Sequence, residues 1–235
     1  KAETPPHLLV MTATPIPRTV AITVFGDLDI STLSELPLGR TPITTHLVNA
    51  LSKPAYVDRA WQRIREEVAE GHQAYVVAPR ISAGTPEDAD MDFLFGTESK
   101  EMAAVTELAP ELATGPLKGL RVAELHGKQS AEEKEATMQA FSAHELDVLV
   151  STTVIEVGVD VPNATVMVIM DADRFGISQL HQLRGRVGRG TSPGLCLLVT
   201  KVASESPTME RLLAVAGTTD GFELSKIDLE QRREG

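Results

Sequence analysis

Residues 181–190, HQLRGRVGRG, concentrate positive charge within a chain whose formal net charge is −11. Three arginines and three glycines occupy these ten positions. Arginine suits anion binding because its planar guanidinium donates paired hydrogen bonds to phosphate oxygens and stays charged at any working pH. The segment therefore predicts a local anion site, with a solvated basic surface as the alternative.

The spacing of the arginines predicts which of them act together. We expect Ser178 to cap a helix that contains Leu180 and Leu183 and continues through the segment. On that helix Arg186 and Arg189 lie three positions apart and share a face, so both guanidinium groups can reach one anion. Gly185 and Gly188 permit close backbone approach and weaken any helix that contains them, so helix formation does not explain their presence.

A second polar segment, STTVIEVGVDVP (151–162), follows a predicted strand. Ligands of parallel sheets gather at the carboxyl ends of the strands. There Thr152 and Thr153 could donate to a phosphate, and Asp160 could accept a hydrogen bond from a ribose hydroxyl. A tight turn capped by Asp160 is the alternative.

The sequence contains no phosphate-binding loop of the form GxxxxGK[ST]. The nearest approach, ELHGKQS, has Gly127 and Lys128 but neither the earlier glycine nor the following hydroxyl. No acidic pair at a strand end indicates a magnesium site. The sequence therefore predicts arginines that can contact a nucleotide, but neither a loop that binds its phosphates nor a magnesium site.

Six short, mostly apolar runs alternate with helical patterns from residue 43 onward, which is typical of βαβ units. Continuous apolar runs suit strands that are buried on both faces. We therefore predict an α/β fold with a parallel sheet covered by helices on both faces. The predicted strands are 43–48, 74–79, 121–125, 147–152, 165–171 and 195–200.

Helix boundaries are predicted from capping residues. We expect Ser52 to cap the helix after the first strand, with Pro54 in its first turn. Ser130 and Glu133 form a capping box, and Ser206 caps a later helix.

Three stretches of the chain are less regular. Residues 81–100 are rich in acids, Gly and Pro, which favours a surface loop. We expect the helix after it to end or kink at Pro110. The spacing of Phe222 and Leu224 leaves helix and strand both open for the tail.

The domain organisation follows from the same patterns. Residues 1–40 supply only a strand, a short helix and another strand, so we predict that they end a preceding domain. We assign 41–203 to one complete domain and 204–235 to a C-terminal helix and tail.

Composition excludes several classes of function. Aromatic residues make up only 4% of the chain, which argues against base stacking on several rings. The single cysteine, Cys196, favours a buried thiol over a nucleophile, and we expect no metal ligands. No run of apolar residues approaches the roughly 20 that cross a bilayer. We expect a cytoplasmic monomer with no membrane partner.

Five segments, taken in order, resemble motifs III to VI of the superfamily-two helicases. They are TAT (12–14), YVVAP (75–79), LHG (125–127), 151–162 and 181–190. The resemblance implies a second RecA-like motor domain preceded by the end of the first. Within that superfamily the chain resembles the RecG family of branched-DNA helicases. The segments that carry this narrower resemblance are MTATPIPRT, FGDLDISTLSELPLGRTPI and TTDGFELSKIDLEQR.

The resemblance implies ATP as cofactor, bound between two RecA-like domains. Arg186 and Arg189 would be arginine fingers, and Gln182 would contact or sense the γ-phosphate. Asp160, with Gly158, would face the nucleotide sugar. Mg²⁺ would be held mainly by the first RecA-like domain.

The same family implies branched double-stranded DNA as partner. The DNA-binding residues would be Thr152, Thr153, His126, Gly127 and Arg80. The upstream wedge and the first RecA-like domain of the same protein would be the other partners.

Coupling of nucleotide state to DNA is implied for Thr12 and Thr14, and for Arg232 in the translocation motif. There the chain departs from the family, since Arg233, Glu234 and Gly235 stand where Gly-Pro-Gly is usual. Two alternatives stay open. One is the motor of the transcription-repair coupling factor, and the other is a catalytically empty RecA-like module that binds nucleic acid or protein.

We predict that these 235 residues alone do not hydrolyse ATP, because they lack the phosphate-binding loop and the magnesium motif. The measurement is ATP turnover at low salt with saturating forked DNA, with the full-length protein as positive control. Turnover that persists after contaminating ATPases are excluded would contradict the prediction.

Overall fold

The computed structural model describes residue 31 and residues 42–79, 98–152 and 161–233, with side chains described outside 98–104 and 230–233. The region predicted to end a preceding domain lies almost wholly outside these residues. The domain boundaries at 40 and 203 stay predictions.

Within the described ranges, six strands form one parallel sheet. Across the sheet their order is β1-β6-β5-β2-β4-β3, and every neighbouring pair is parallel. Each predicted strand is present, with its ends within two residues of the prediction. The strands are β1 (Ile43–Asn49), β2 (Gln73–Val77), β3 (Val122–Leu125), β4 (Val148–Ser151), β5 (Ala164–Ile169) and β6 (Gly194–Thr200).

Helices connect the strands, and a short 3-10 turn, Ala172–Arg174, follows β5. The capping box at Ser130 and Glu133 is confirmed, since each side chain accepts the other's backbone N–H. Ser206 caps its helix as predicted. The helices are α1 (Ala55–Ala69), α2 (Glu98–Thr114), α3 (Ala131–Ser142), α4 (Ile177–Arg184), α5 (Pro207–Gly217) and α6 (Gly221–Arg233).

Helices cover both faces of the sheet because side chains alternate along each strand. In β2, Tyr75 and Val77 pack into a cluster with buried residues of α3, α4, α5 and α6. Ala74 and Val76 pack on the opposite face with residues of α1 and α2. Each fully buried large apolar side chain contributes about 1.5–3 kcal/mol. The predicted α/β fold is confirmed.

The expectation that Pro110 ends its helix is wrong, and the alternative that it kinks the helix stays a prediction. Helix α2 contains Pro110 and continues to Thr114. Val105, Ala109 and Leu112 are buried against the sheet on either side of the proline. Their burial offsets the one hydrogen bond that proline cannot donate. The helix also begins at Glu98, inside the segment predicted as a loop, while residues 81–97 lie outside the described part of the chain.

Two helices begin at residues other than the predicted caps. Helix α1 starts at Ala55 without a side-chain cap, because Asn49 Oδ1 already accepts the N–H groups of Leu51 and Ser52 and turns the chain there. Helix α4 starts after Gly176, whose N–H donates to Gln179 Oε1. Ser178 therefore lies inside the helix.

The tail, for which the spacing left helix and strand open, forms helix α6.

The turn between α4 and β6 is tightly packed against neighbouring backbone. Gly188 has φ +66°, and its N–H donates to Ala164 O at 3.2 Å. A Cβ at Gly188 would lie 3.0 Å from Gly194 Cα, and a Cβ at Gly190 would lie 2.7 Å from Pro162 O. These glycines are needed because backbone occupies the space of a side chain.

We predict that Gly190→Ala lowers the free energy of unfolding by about 1–3 kcal/mol, since either the turn or Pro162 must move. Gly217→Ala is the matched control, because no atom lies within 4 Å of its Cβ position. Urea unfolding measures both variants. Equal stability of the two would contradict the close approach.

Candidate functional site

Arg186 and Arg189 lie in the turn after α4. The predicted shared helix face is therefore wrong, because α4 ends at Arg184 and Gly188 adopts a left-handed conformation that a helix cannot contain. Arg186 is half-buried and Arg189 is exposed, and Arg189 Nε donates to Gly185 O at 2.8 Å. Both arginines thus project from one short, glycine-packed segment, here called the arginine turn (residues 185–190).

Gln182 is exposed in the last turn of α4, four positions before Arg186. Gln182 therefore lies just before the arginine turn, at the carboxyl-terminal end of α4. The structure therefore brings the three predicted nucleotide-contacting side chains into one local region of the chain.

Arg184 has a structural role that the sequence analysis missed. It is 3% exposed and donates to Val215 O and Thr218 O, each at 2.7 Å. These bonds tie α4 to the end of α5. Burial lowers the pKa of Arg184, but a guanidinium stays charged in proteins. Its spacing of four from the buried Leu180 could have indicated this inward orientation.

The arginine turn lies at the amino-terminal edge of the sheet. Gly188 contacts the first residue of β5, Ala164, and the first residue of β6, Gly194. Gly190 lies against Pro162, just before β5. The turn is therefore fixed to two central strands where those strands begin.

His126 and Thr152 lie side by side at the opposite, carboxyl-terminal edge. The register pairs Leu125 with Ser151, which are the last residues of β3 and β4. The residues that follow them, His126 and Thr152, therefore leave the sheet side by side. Thr152 N–H donates to Leu125 O at 3.3 Å, and both His126 and Thr152 are buried. The prediction that this edge collects polar groups agrees with their placement.

Three buried polar atoms at this edge have no hydrogen-bond partner among the residues that the structure describes. They are His126 Nδ1, Ser151 Oγ and Thr152 Oγ1. Unpaired buried polar atoms are costly, so this edge keeps hydrogen-bonding capacity that the described residues do not use. Ser151 was not predicted as a site residue, although it begins the hydroxyl-rich segment.

Gly127 is exposed beside these atoms, and a Cβ there would meet no atom within 4 Å. Its carbonyl accepts a hydrogen bond from Lys134 Nζ at 2.8 Å. A ligand could therefore approach the backbone closely at this position.

The two groups of residues are not brought together. Strand β5 has six residues and a rise of about 3.3 Å per residue, so the edges are separated by roughly 17 Å. The described part of the chain thus carries two separate polar regions, one at each edge of a rigid sheet.

Several predicted site residues lie outside the described residues. They are Thr12, Thr14, Arg80, Thr153, Gly158 and Asp160. Arg232 belongs to α6, but its side chain is also outside the description.

Glu67, Glu70 and His72 form the one group of candidate metal ligands among the described residues. Both Glu67 oxygens are already engaged, one by Arg63 and the other by His72 and Thr165. Because these bonds already use the Glu67 carboxylate, the group is a hydrogen-bond network and a poor metal site.

Cys196 is fully buried in β6, and burial raises the pKa of its thiol to about 12. The thiolate that nucleophilic chemistry needs is therefore not formed. The prediction of a structural thiol is confirmed. No helix among the described residues is both long and apolar enough to span a bilayer.

Comparison with known proteins connects this geometry to a family. A model of the helicase conserved C-terminal domain matches residues 60–191. The chain is 61% identical over 230 residues to the ATP-dependent DNA helicase RecG of Mycobacterium leprae, which covers 98% of this chain and 30% of that protein. Identity to the RecG of Staphylococcus epidermidis is 46%, covering 97% and 31%. The chain thus spans about a third of the length of these relatives.

Solved structures agree with the sequence matches. A structure of RecG bound to a three-way DNA junction is similar with a TM-score of 0.72 and 40% identity, over 95% of this chain and 27% of that one. S. cerevisiae Dbp5 bound to RNA and ADP BeF3 is similar with a TM-score of 0.51 and 13% identity, over 92% and 51%, which shows the fold alone.

The predicted RecA-like fold and the predicted resemblance to RecG are both confirmed. The chain belongs to the helicase conserved C-terminal domain family, and within it is similar to the RecG helicases.

Proposed function

We propose that this chain is the C-terminal motor part of an ATP-dependent double-stranded DNA translocase and helicase. In the full-length protein it would remodel branched DNA, through regression of stalled forks and branch migration of Holliday junctions, in recombination and repair. The similarity to RecG helicases supports this proposal over the coupling-factor alternative. The RecG structure with a three-way DNA junction supports branched DNA as the partner.

The observation that carries the proposal is the separation of two polar regions on one sheet. A motor must bind nucleotide at one place and a DNA strand at another, and must connect the two rigidly. The arginine turn lies at the amino-terminal edge, and His126 and Thr152 lie at the carboxyl-terminal edge. A module that only binds nucleic acid has no use for the first region.

The arginine turn fits the phosphates of ATP. In the proposed mechanism Arg186 and Arg189 donate hydrogen bonds to the γ-phosphoryl oxygens as negative charge develops during transfer to water. Such arginine fingers contribute roughly 10³ to 10⁵ in rate to related reactions. Gln182 would contact or sense the γ-phosphate, and Asp160 and Gly158 would face the sugar.

The described residues do not fit Mg²⁺. Their one candidate group includes an imidazole, which suits other metals, and its buried carboxylate is already paired. We therefore propose that the first RecA-like domain holds the ion, together with the phosphate-binding loop. This chain would supply only the arginines and the residues that hold them.

The carboxyl-terminal edge fits the phosphates of one DNA strand. Atoms of His126, Ser151 and Thr152 that no described residue pairs with offer hydrogen bonds, and Gly127 allows close approach. Contacts of this type position a strand without reading its sequence and need few positive charges, which an acidic chain can accommodate. Thr153 and Arg80 would extend the same contact.

Coupling between the two regions is proposed for the segments that adjoin them. Thr12 and Thr14 would link nucleotide state to DNA grip, and Arg232 would pass motion from α6 to the duplex.

We predict that Arg189→Ala in the full-length protein lowers DNA-stimulated ATP turnover by at least about 10³-fold and leaves DNA affinity near the wild-type value. Arg189→Lys recovers little, because an ammonium cannot make paired bonds. Turnover and DNA affinity are measured on the same preparations. Arg59→Ala, which removes an exposed arginine of α1, is the control. Near-normal turnover in Arg189→Ala would contradict the assignment.

A further inference from the structure

A chain of hydrogen bonds connects the turn before β6 to a buried carboxylate. Ser192 Oγ lies 3.1 Å from His72 Nε2, and His72 Nδ1 lies 2.9 Å from Glu67 Oε2. Thr165 Oγ1 donates to the same carboxylate oxygen at 2.6 Å, and Arg63 pairs with the other oxygen. Glu67 is only 6% exposed, so its negative charge is stabilised by these hydrogen-bond partners and not by water. We call Glu67, His72 and Ser192 the anchoring chain.

The anchoring chain has a defined polarity. A carboxylate only accepts hydrogen bonds, so His72 Nδ1 carries the proton that faces Glu67. In the neutral imidazole, Nε2 is then an acceptor and receives the hydroxyl proton of Ser192. Glu67 therefore sets the tautomer of His72, and His72 sets the orientation of Ser192.

The backbone of His72 is itself fixed. Gly71 adopts φ +88° after the end of α1, and the His72 N–H donates to Glu67 O at 2.9 Å. Asn163 Nδ2 donates to Gly71 O at 2.9 Å, which joins this turn to the segment before β5. The imidazole is thus presented from a rigid position on the sheet.

Ser192 follows Arg189 by three positions, between the arginine turn and β6. The turn is held on one side by Gly188 and Gly190, which pack against backbone. The residues after the turn are restrained by the hydrogen bond between the side chains of Ser192 and His72. We infer that the anchoring chain positions the arginine turn for its work on the nucleotide, with His72 and Ser192 as positioning residues. This inference rests on the proposed function.

The order of groups in the anchoring chain is also that of a serine hydrolase triad. A nucleophilic role for Ser192 is disfavoured, because the next residue is Pro193, which has no N–H to contribute to an oxyanion hole. A side-chain tether immediately after the arginine turn, not bond cleavage, is what this geometry supports.

The first test measures hydrogen exchange at the backbone amides of residues 186–190 in the 235-residue chain. Ser192→Ala removes the hydroxyl, and we expect exchange there to accelerate by about 2- to 10-fold, as loss of one hydrogen bond allows. Ser192→Thr keeps a hydroxyl and restores the wild-type rate. Thr191→Ala, at the neighbouring exposed residue, is the matched control. Equal exchange in Ser192→Ala and Thr191→Ala would overturn the inference.

The second test measures DNA-stimulated ATP hydrolysis by the full-length protein. Ser192→Ala should lower kcat by about 2- to 10-fold and leave KM for ATP and DNA affinity unchanged, while Ser192→Thr retains kcat. An unchanged kcat in Ser192→Ala would overturn the catalytic part of the inference. If the wild-type full-length protein shows no DNA-stimulated turnover, the proposed function has failed, and the exchange experiment alone decides whether Ser192 positions the turn.

Discussion

Burial of the parallel sheet on both faces is the constraint on which the rest of the molecule depends. Strands β4 and β5 are buried along their whole length, so neither can slide without exposing apolar side chains or breaking its ladder of hydrogen bonds. Their two ends are therefore held at a fixed separation. The proposed nucleotide region at one end and the proposed DNA region at the other are therefore joined by one rigid body.

Arg186 and Arg189 are positioned by backbone packing in the arginine turn, and not by the helix that the sequence predicted. Gly188 and Gly190 bring backbone against Gly194 and Pro162, where no side chain would fit. The guanidinium groups therefore project from a segment with little freedom, which lowers the entropy cost of ordering them around an anion. The anchoring chain adds a side-chain restraint at Ser192, just after this segment, through a buried carboxylate that is itself fully paired.

The sequence predicts strands better than helix ends. The apolar runs DVLVST (147–152) and TVMVIMD (165–171) identified the buried strands β4 and β5, because burial on both faces favours continuous apolar residues. Helix ends depend on contacts that spacing alone does not reveal: Asn49 turns the chain ahead of α1, and packing against the sheet carries α2 through Pro110. At the site, the sequence singled out Arg186 and Thr152 by residue type. It missed Ser151, Arg184 and the anchoring chain, which depend on contacts between residues distant in the sequence.

In the proposed motor, nucleotide and DNA bind at opposite edges of one sheet. Photocrosslinking of the full-length protein tests it most directly, with an ATP analogue reactive at its γ-phosphate and, separately, a forked DNA reactive at its backbone phosphates. Mass spectrometry then locates the modified residues. We expect the ATP analogue to modify residues 182–190, and the DNA to modify residues 126–127 and 151–152. DNA crosslinks concentrated in the arginine turn, or ATP crosslinks at His126 and Thr152, would contradict the account.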